Sequence, residues 1–327
     1  MKLLVITERV DSGPGYFGYF VDWLREFAQN CDSVLVICQS MGQYDLPKNV
    51  IVKSLGKEAG SGKLTQLLLF YSYVFKHADL YDAVFVHMSP TYVILAGLYW
   101  RFMDKRIALW YTHKHVDLKL RIAEKFVNII FTASSESFRL KSSKVHVMGH
   151  GINTLKYAHS SLPWVERSGV ISVGRISKVK NIEILIEVMR GIDENCLIIG
   201  NPMTRDDEIY YSQIKKSVPL NVRFMGPVAN DSLSIYLGKV KVFVNLSSTG
   251  SLDKAILEAM AGACLPLTSN EAFKSILSQK YLTTNNPKEI SAKLKFLLST
   301  EPDSKLSDYV VLNHSLSGLI PRIVKAL

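Results

Sequence analysis

The stretch VISVGRISKVKNIEILIEVM (170–189) decides both the fold and the position of the site. It opens with a buried strand, VISV (170–173), which runs directly into Gly174 and Arg175, and Lys180 then precedes an apolar run of helical period. A helix N-terminus carries partial positive charge, so cations beside it are unfavourable unless an anion compensates. Arginine and lysine both suit phosphate. We therefore predict an anion site at a sheet edge.

A second turn lies far downstream. STGSLDK (248–254) leads into the helix-like run ILEAMA (256–261). The Glu258 carboxylate sits near this second helix start, where it can accept hydrogen bonds from sugar hydroxyls. Combined with the two cations upstream, this pattern indicates a site for a sugar attached to a diphosphate.

Apolar strand-like runs alternate with helix-like runs along the whole chain, which indicates parallel sheets covered on both faces. The predicted fold class is α/β, with two Rossmann-like doubly wound domains facing a central cleft. The predicted strands are 2–7, 33–38, a weaker one at 51–55, 83–88, 106–111, 128–134 and 144–149, then 170–173, 196–200, 221–226, 241–247 and 264–269.

The break between the two alternations predicts the domain boundary. Residues 1–155 form the first predicted domain, and the polar, aperiodic residues 156–168 around Pro163 form a linker. Residues 169–312 form the second domain, and residues 313–327 form a C-terminal helix that packs back on the first.

Charge and cysteine content narrow the class of protein. The 327 residues carry a net charge of +10, spread over both halves, which argues against a nucleic-acid-binding arm and fits an anionic substrate. The four cysteines have no metal-ligand spacing, so we predict a reducing, cytoplasmic location. The longest apolar run, 92–100, is too short to span a bilayer.

Gly13, Gly15 and Gly18 match the pattern G-x-G-x-x-G. A dinucleotide site is rejected, because the glycines begin several residues after the first strand and no carboxylate ends the second strand. Two alternatives stay open: a flexible loop whose Gly15 backbone approaches a ligand, or an ordinary surface turn.

Histidines follow two predicted strands. His113 and His115 follow RIALWY (106–111), and His150 follows KVHVMG (144–149). His113 is the favoured candidate for orienting a hydroxyl or neutralising charge, and His150 is a candidate donor contact. No partner falls at metal-ligand spacing, so no metal is predicted.

At these residues the chain resembles the retaining glycosyltransferases of family 4, which have the GT-B fold. The resemblance rests on Val173-Gly174-Arg175 with Lys180, and on HGIN (150–153), LIIGNP (197–202), VRFMGPV (222–228) and ILEAMA (256–261). It covers most of the second domain, and the first only in pattern.

The resemblance implies the roles of the site residues. Arg175 and Lys180 would bind the donor diphosphate, Glu258 the ribose, and His113 the transferred sugar. Base contacts would come from Gly200, Asn201 and Met225. The first domain would bind the acceptor and the second the nucleotide sugar.

One departure from the family pattern concerns catalysis. The family has a second glutamate ahead of the one at 258, and that position here is Gly250. We therefore expect Asp253 to contact a sugar hydroxyl in its place. We expect the Gly250–Ser251 backbone and Lys254 to face the phosphates, and we count Leu252 of the same loop among the donor-binding residues.

The predicted function is metal-independent, retaining transfer of a sugar from a UDP- or GDP-sugar to a glycan or lipid-linked hydroxyl acceptor, with no cofactor and no nucleic acid. Two alternatives stay open: a nucleotide-sugar epimerase or phosphorylase of the same fold, and a catalytically silent nucleotide-sugar-binding protein.

Two interpretations are open for the apolar run 64–78 and the basic runs 119–126 and 139–144. They could contact the inner face of the membrane peripherally, or they could be a buried helix and solvated cations.

Overall fold

Two parallel β-sheets organise the chain, and each belongs to a separate unit. The computed structural model describes residues 1–14, 18–159, 162–248 and 250–327. The first unit comprises Met1–Gly151 and Ser315–Leu327, and the second comprises Ile152–His314.

The strands of both units fall where unbroken apolar runs occur in the sequence. The first sheet contains β1 (Lys2–Val10), β2 (Ser33–Met41), β3 (Val50–Ser54), β4 (Ala83–His87), β5 (Arg106–Trp110), β6 (Ile129–Thr132) and β7 (Val145–Val147). The second contains β8 (Val170–Val173), β9 (Cys196–Ile199), β10 (Val222–Gly226), β11 (Val242–Asn245) and β12 (Leu265–Thr268). Their orders are β3-β2-β1-β4-β5-β6-β7 and β10-β9-β8-β11-β12.

Helices cover both faces of each sheet. Those of the first unit are α1 (Tyr19–Asn30), α2 (Lys63–Lys76), α3 (Pro90–Phe102), α4 (Leu118–Phe126) and α12 (Leu316–Ala326). Those of the second are α5 (Thr154–His159), α6 (Ile182–Met189), α7 (Arg205–Ile214), α8 (Asn230–Leu237), α9 (Lys254–Ala261), α10 (Pro287–Leu298) and α11 (Ser304–His314). No helix within the described ranges is long and apolar enough to cross a membrane.

Strand β1 shows why the centre of the first sheet is largely apolar. Successive side chains point to opposite faces of a strand. Leu3 and Val5 pack with α1 and α12 on one face, whereas Leu4 and Ile6 pack with α2, α3 and α4 on the other. All four side chains are fully buried. Because neither face of the strand contacts solvent, both faces are apolar.

The C-terminal helix α12 belongs to the first unit, where Leu319 packs in the same apolar cluster as Trp23 of α1. Gly151 lies against both side chains. It has a φ of +67°, and a Cβ there would lie 2.6 Å from the Trp23 ring and 2.7 Å from Leu319. Only glycine fits this position without displacing the core.

The residues predicted to form a linker, 156–168, belong to the second unit. Tyr157 is 2% exposed and packs in the core of that unit. The Arg167 guanidinium is also buried, and it donates to the Gly262 carbonyl at 2.7 Å and to the Leu162 carbonyl at 2.9 Å. The polar composition of this stretch led to the prediction of a linker. Its arginine is nevertheless buried, because backbone carbonyls accept its hydrogen bonds.

Candidate functional site

The carboxyl ends of β8 and β11 form the point at which the second sheet reverses its winding. Strand β8 lies between β9 and β11, so the chain leaves it on one side and later returns on the other. Ligands of open α/β sheets bind in the crevice at such a point. A pocket lies here, lined by Ser172, Val173, Gly174, Arg175, Lys180, Ile182, Ile198, Ile199, Asn245 and Leu246.

Two glycines allow the strand ends to approach closely. Gly174 has a φ of +148° and Gly200 a φ of +139°. A Cβ at Gly200 would lie 1.9 Å from the Gly174 carbonyl oxygen, so no other residue fits there without moving the backbone. A Cβ at Gly174 would lie 3.7 Å from Cε of Lys180, so the lysine stem lies close to this glycine.

Asp207 orients Arg175, the first cation of the site. The Arg175 Nε donates to Asp207 Oδ2 at 2.7 Å, and a terminal guanidinium nitrogen lies at the same distance. The same carboxylate oxygen accepts from the backbone N–H of Thr204 at 3.1 Å in a capping box at the start of α7. Burial opposes ionisation of Asp207, but the hydrogen bonds from Arg175 and Thr204 hold its pKa below the usual value. Asp207 therefore fixes a charged guanidinium at the carboxyl end of β8.

Asp253 holds Lys180, the second cation. Lys180 follows β8, Asp253 precedes α9, and the Nζ donates to Asp253 Oδ2 at 2.5 Å. The side-chain amide of Asn245, the last residue of β11, donates to the same oxygen at 3.0 Å. The other carboxylate oxygen accepts from the Ala255 N–H at 3.4 Å and caps α9.

These contacts change the role expected for Asp253. Burial raises the cost of its charge, but the charge of Lys180 and the hydrogen bonds from Lys180 and Asn245 keep its pKa below the usual value. Both carboxylate oxygens are engaged within the unit. In this geometry Asp253 positions Lys180 and begins α9, and a sugar hydroxyl has to compete with those partners.

The residues around Asp253 were expected to face phosphate, and the structure gives them mixed positions. Leu252 is 5% exposed and packs in the apolar core, so its side chain faces away from any anion. The Ser251 carbonyl accepts from the Asn270 side chain at 2.8 Å. Gly250 has a φ of +62°. This is the left-handed region, where a glutamate would be strained.

Glu258 lies one turn inside α9 and is 5% exposed. Its carboxylate is paired with Lys254 across one helical turn. Lys254 therefore faces Glu258. A ribose hydroxyl that reaches Glu258 shares the carboxylate with Lys254.

The residues expected to contact the base lie at the same sheet edge. Gly174 donates to the Ile199 carbonyl at 3.0 Å, and the Asn201 carbonyl accepts from Ile176 at 3.1 Å. Gly200 in turn donates to the Gly226 carbonyl, beside the half-buried Met225. The ends of β8, β9 and β10 are thus tied together.

The remaining predicted residues belong to the first unit. His113 follows β5, is exposed, and accepts at Nδ1 from the His115 backbone N–H at 3.0 Å. His150 follows β7 and is half-buried. Gly15 lies outside the described residues. No group of three His, Cys, Asp or Glu in the described parts of the chain is arranged to hold a metal ion.

Asp207 and Asn245 were not predicted from the sequence. One local signal existed for Asp207, because Thr204 and an acidic residue three positions later form a capping pattern. That pattern predicts a helix start and says nothing about a partnership with Arg175. Asn245 has no such signal, since it ends an apolar strand and its partner Asp253 is defined only by the start of α9.

Comparisons with known proteins identify the fold and a family match within the second unit. Residues 167–300 match the family model described as glycosyl transferases group 1. No curated protein matches the chain significantly. Anabaena Alr3699/HepE in complex with UDP and glucose has a TM-score of 0.76 at 14% identity, with 100% of this chain and 99% of that chain covered.

Two other solved structures show the range of proteins with this fold. Sucrose-phosphate synthase from Thermosynechococcus elongatus has a TM-score of 0.72 at 13% identity, covering 100% of this chain and 98% of its own. UDP-GlcNAc 2-epimerase from Methanocaldococcus jannaschii has a TM-score of 0.62 at 11% identity, covering 100% and 99%. These similarities confirm the predicted GT-B fold, and the match of residues 167–300 to the group 1 model agrees with the prediction of a glycosyltransferase domain in the second unit.

Proposed function

We propose, from the premise that the second unit is a group 1 glycosyltransferase domain, that the chain transfers a sugar from a UDP-sugar to a hydroxyl of a glycan or lipid-linked acceptor. One observation carries the proposal. Arg175 and Lys180 both line the pocket at the carboxyl ends of β8 and β11, and each is held by a carboxylate. The UDP-bound neighbour supports uracil as the base, and a GDP-sugar is the second donor to test.

All four cysteines are free and buried, which supports a reducing, cytoplasmic location.

The proposed chemistry is electrostatic. When the bond between the anomeric carbon and the diphosphate oxygen breaks, negative charge grows on the leaving diphosphate. Asp207 and Asp253 hold Arg175 and Lys180 in place before the donor arrives, so little reorganisation remains for the reaction itself. Lys180 has three N–H donors, and Asp253 takes one of them. The N-terminus of α9 adds a favourable dipole at the same edge. We propose a metal-independent reaction that retains the anomeric configuration, as in family 4.

Turnover of radiolabelled UDP-sugars with a panel of glycan and lipid-linked acceptors tests the proposal. We expect Arg175→Ala and Lys180→Ala each to lower kcat by about 10²–10³. Lys178→Ala is the matched control, because Lys178 lies in the same turn and is exposed. Its activity should equal that of the unmodified protein. Equal activity of all three variants would refute the diphosphate assignment.

A nucleotide-sugar epimerase is the second candidate, favoured by the epimerase among the similar structures. Incubation with donor alone separates the two, because epimerisation changes the sugar without an acceptor, and proton NMR detects the signals of the new epimer. A silent binding protein is the third candidate, because Gly250 stands where the family has a glutamate. Donor binding without turnover in either assay would favour it.

A further inference from the structure

Two neighbouring helices of the first unit expose large apolar side chains on their outer faces. On α2, Leu64, Leu68 and Phe75 are 70%, 62% and 49% exposed. Their spacing of four and seven residues puts them on one stripe of the helix. On α3, Leu98 and Phe102 are 72% and 86% exposed, four residues apart.

The two stripes form one continuous surface. The Phe75 ring packs edge-to-face against Tyr99 of α3 at 4.7 Å and stacks on Tyr71 at 5.6 Å. The Tyr71 hydroxyl donates to the Leu95 carbonyl of α3 at 3.1 Å. The opposite side of α2 is anchored by the fully buried Phe70. The outer residues are therefore exposed on a well-packed helix pair.

The charge of this helix layer is strongly one-sided. Helices α2, α3 and α4 carry six lysines and arginines, all exposed, and one acidic residue. The excess of five positive charges is half of the net charge of the whole chain. The single acid, Glu124, accepts a hydrogen bond from Ser142 at 2.8 Å. The cations are Lys63, Lys76, Arg101, Lys119, Arg121 and Lys125.

We propose that the outer face of α2, α3 and α4 docks on an anionic lipid surface. We call the exposed residues Leu64, Leu68, Phe75, Leu98 and Phe102, with the six cations, the docking face. Leucine and phenylalanine side chains insert into the boundary between headgroups and acyl chains, and the cations bind the anionic headgroups. Half-buried tyrosines beside them suit the same interface. A second copy of the chain is a poorer occupant, because a symmetric contact would oppose two clusters of like charge.

Vesicle flotation with phosphatidylglycerol-containing and pure phosphatidylcholine vesicles tests this inference independently of any sugar transfer. The unmodified 327-residue chain should float with the anionic vesicles and much less with the neutral ones. We expect Leu68→Gln/Phe102→Gln to lower the partition coefficient by at least about tenfold. We expect Lys63→Gln/Arg101→Gln to lower it by about fivefold per cation.

A matched control comes from the second unit. Val311 and Leu312 of α11 are 52% and 83% exposed, and Val311→Gln/Leu312→Gln should bind vesicles as the unmodified chain does. Circular dichroism melting checks that each variant is folded, and the charge variants test the face without altering its apolar packing. The inference is overturned if the unmodified chain fails to float with anionic vesicles, or if both docking-face pairs bind as the control does. It is also overturned if sedimentation shows a dimer that Leu68→Gln/Phe102→Gln abolishes while vesicles are not bound.

Discussion

Replacing Asp253 with asparagine tests how the site holds its lysine. The substitution keeps the shape of the side chain and its capability to cap α9, but it removes the negative charge beside Lys180. The two side chains are 17% and 16% exposed, between a surface pair and a fully buried one. Breaking an exposed pair costs about 0.2–1 kcal/mol, and removing one partner of a buried pair about 3–5 kcal/mol. We therefore expect Asp253→Asn to lower the free energy of unfolding by about 2 kcal/mol.

The assay is a double-mutant cycle with Lys180→Met. Each single variant leaves one charge without its partner, whereas the double variant removes both charges. The double variant should therefore be more stable than the sum of the single effects predicts, by about 1–2 kcal/mol. Calorimetric melting of the four proteins measures this coupling. The same four proteins are then titrated with UDP.

Two results would count against the positioning role of Asp253. One is additivity of the stability effects within about 0.5 kcal/mol, which is expected of residues that do not interact. The other is a further loss of turnover when Asp253→Asn is added to the Lys180→Met variant, with no further change in UDP affinity. That second result would restore direct contact between Asp253 and the sugar.

Three further predictions concern Asp207, His87 and Gly200. Asp207→Ala removes the partner of Arg175 and part of the α7 cap, so it should cost about 1–2 kcal/mol of stability and weaken UDP binding, measured by melting and titration; unchanged UDP affinity would contradict it. Burial lowers the His87 pKa to about 3 from 6.5, so the unfolded chain binds more protons between these values and stability is lost as pH falls from 6.5 towards 3, by up to about 5 kcal/mol. His87→Phe should reduce that loss of stability in urea titrations at neutral and acidic pH. An equal pH dependence in both proteins would show that His87 is not its cause. Gly200→Ala brings a Cβ against the Gly174 carbonyl and should lower the melting temperature by several degrees, whereas an unchanged value would refute the close approach.

Much of the fold could be predicted because buried parallel strands are apolar on both faces. The run of Leu3 to Ile6 identifies β1 without any knowledge of its neighbours. The position of Gly174 and Arg175 directly after a strand likewise placed them at a carboxyl edge. These features are local, and a sequence records local features directly.

The partners in the site could not be predicted, because they depend on which strands are neighbours. Asp207 is 32 residues from Arg175, and Asp253 is 73 residues from Lys180. Only the sheet order, with β9 and β11 on either side of β8, brings these carboxylates to the cations. The sequence left the exposure of α2 open for a different reason, since an apolar helix sequence is equally consistent with complete burial.

The affinity ratio of UDP to uridine, measured by calorimetry, tests the central claim most directly. The two ligands share base and ribose and differ in the diphosphate, so their ratio reports the contacts to the diphosphate, and its change on substitution reports the two cations. The account predicts a large ratio in the unmodified chain and its collapse in Arg175→Ala/Lys180→Met, with uridine affinity unchanged. The same ratio in both proteins would show that these cations do not hold the diphosphate.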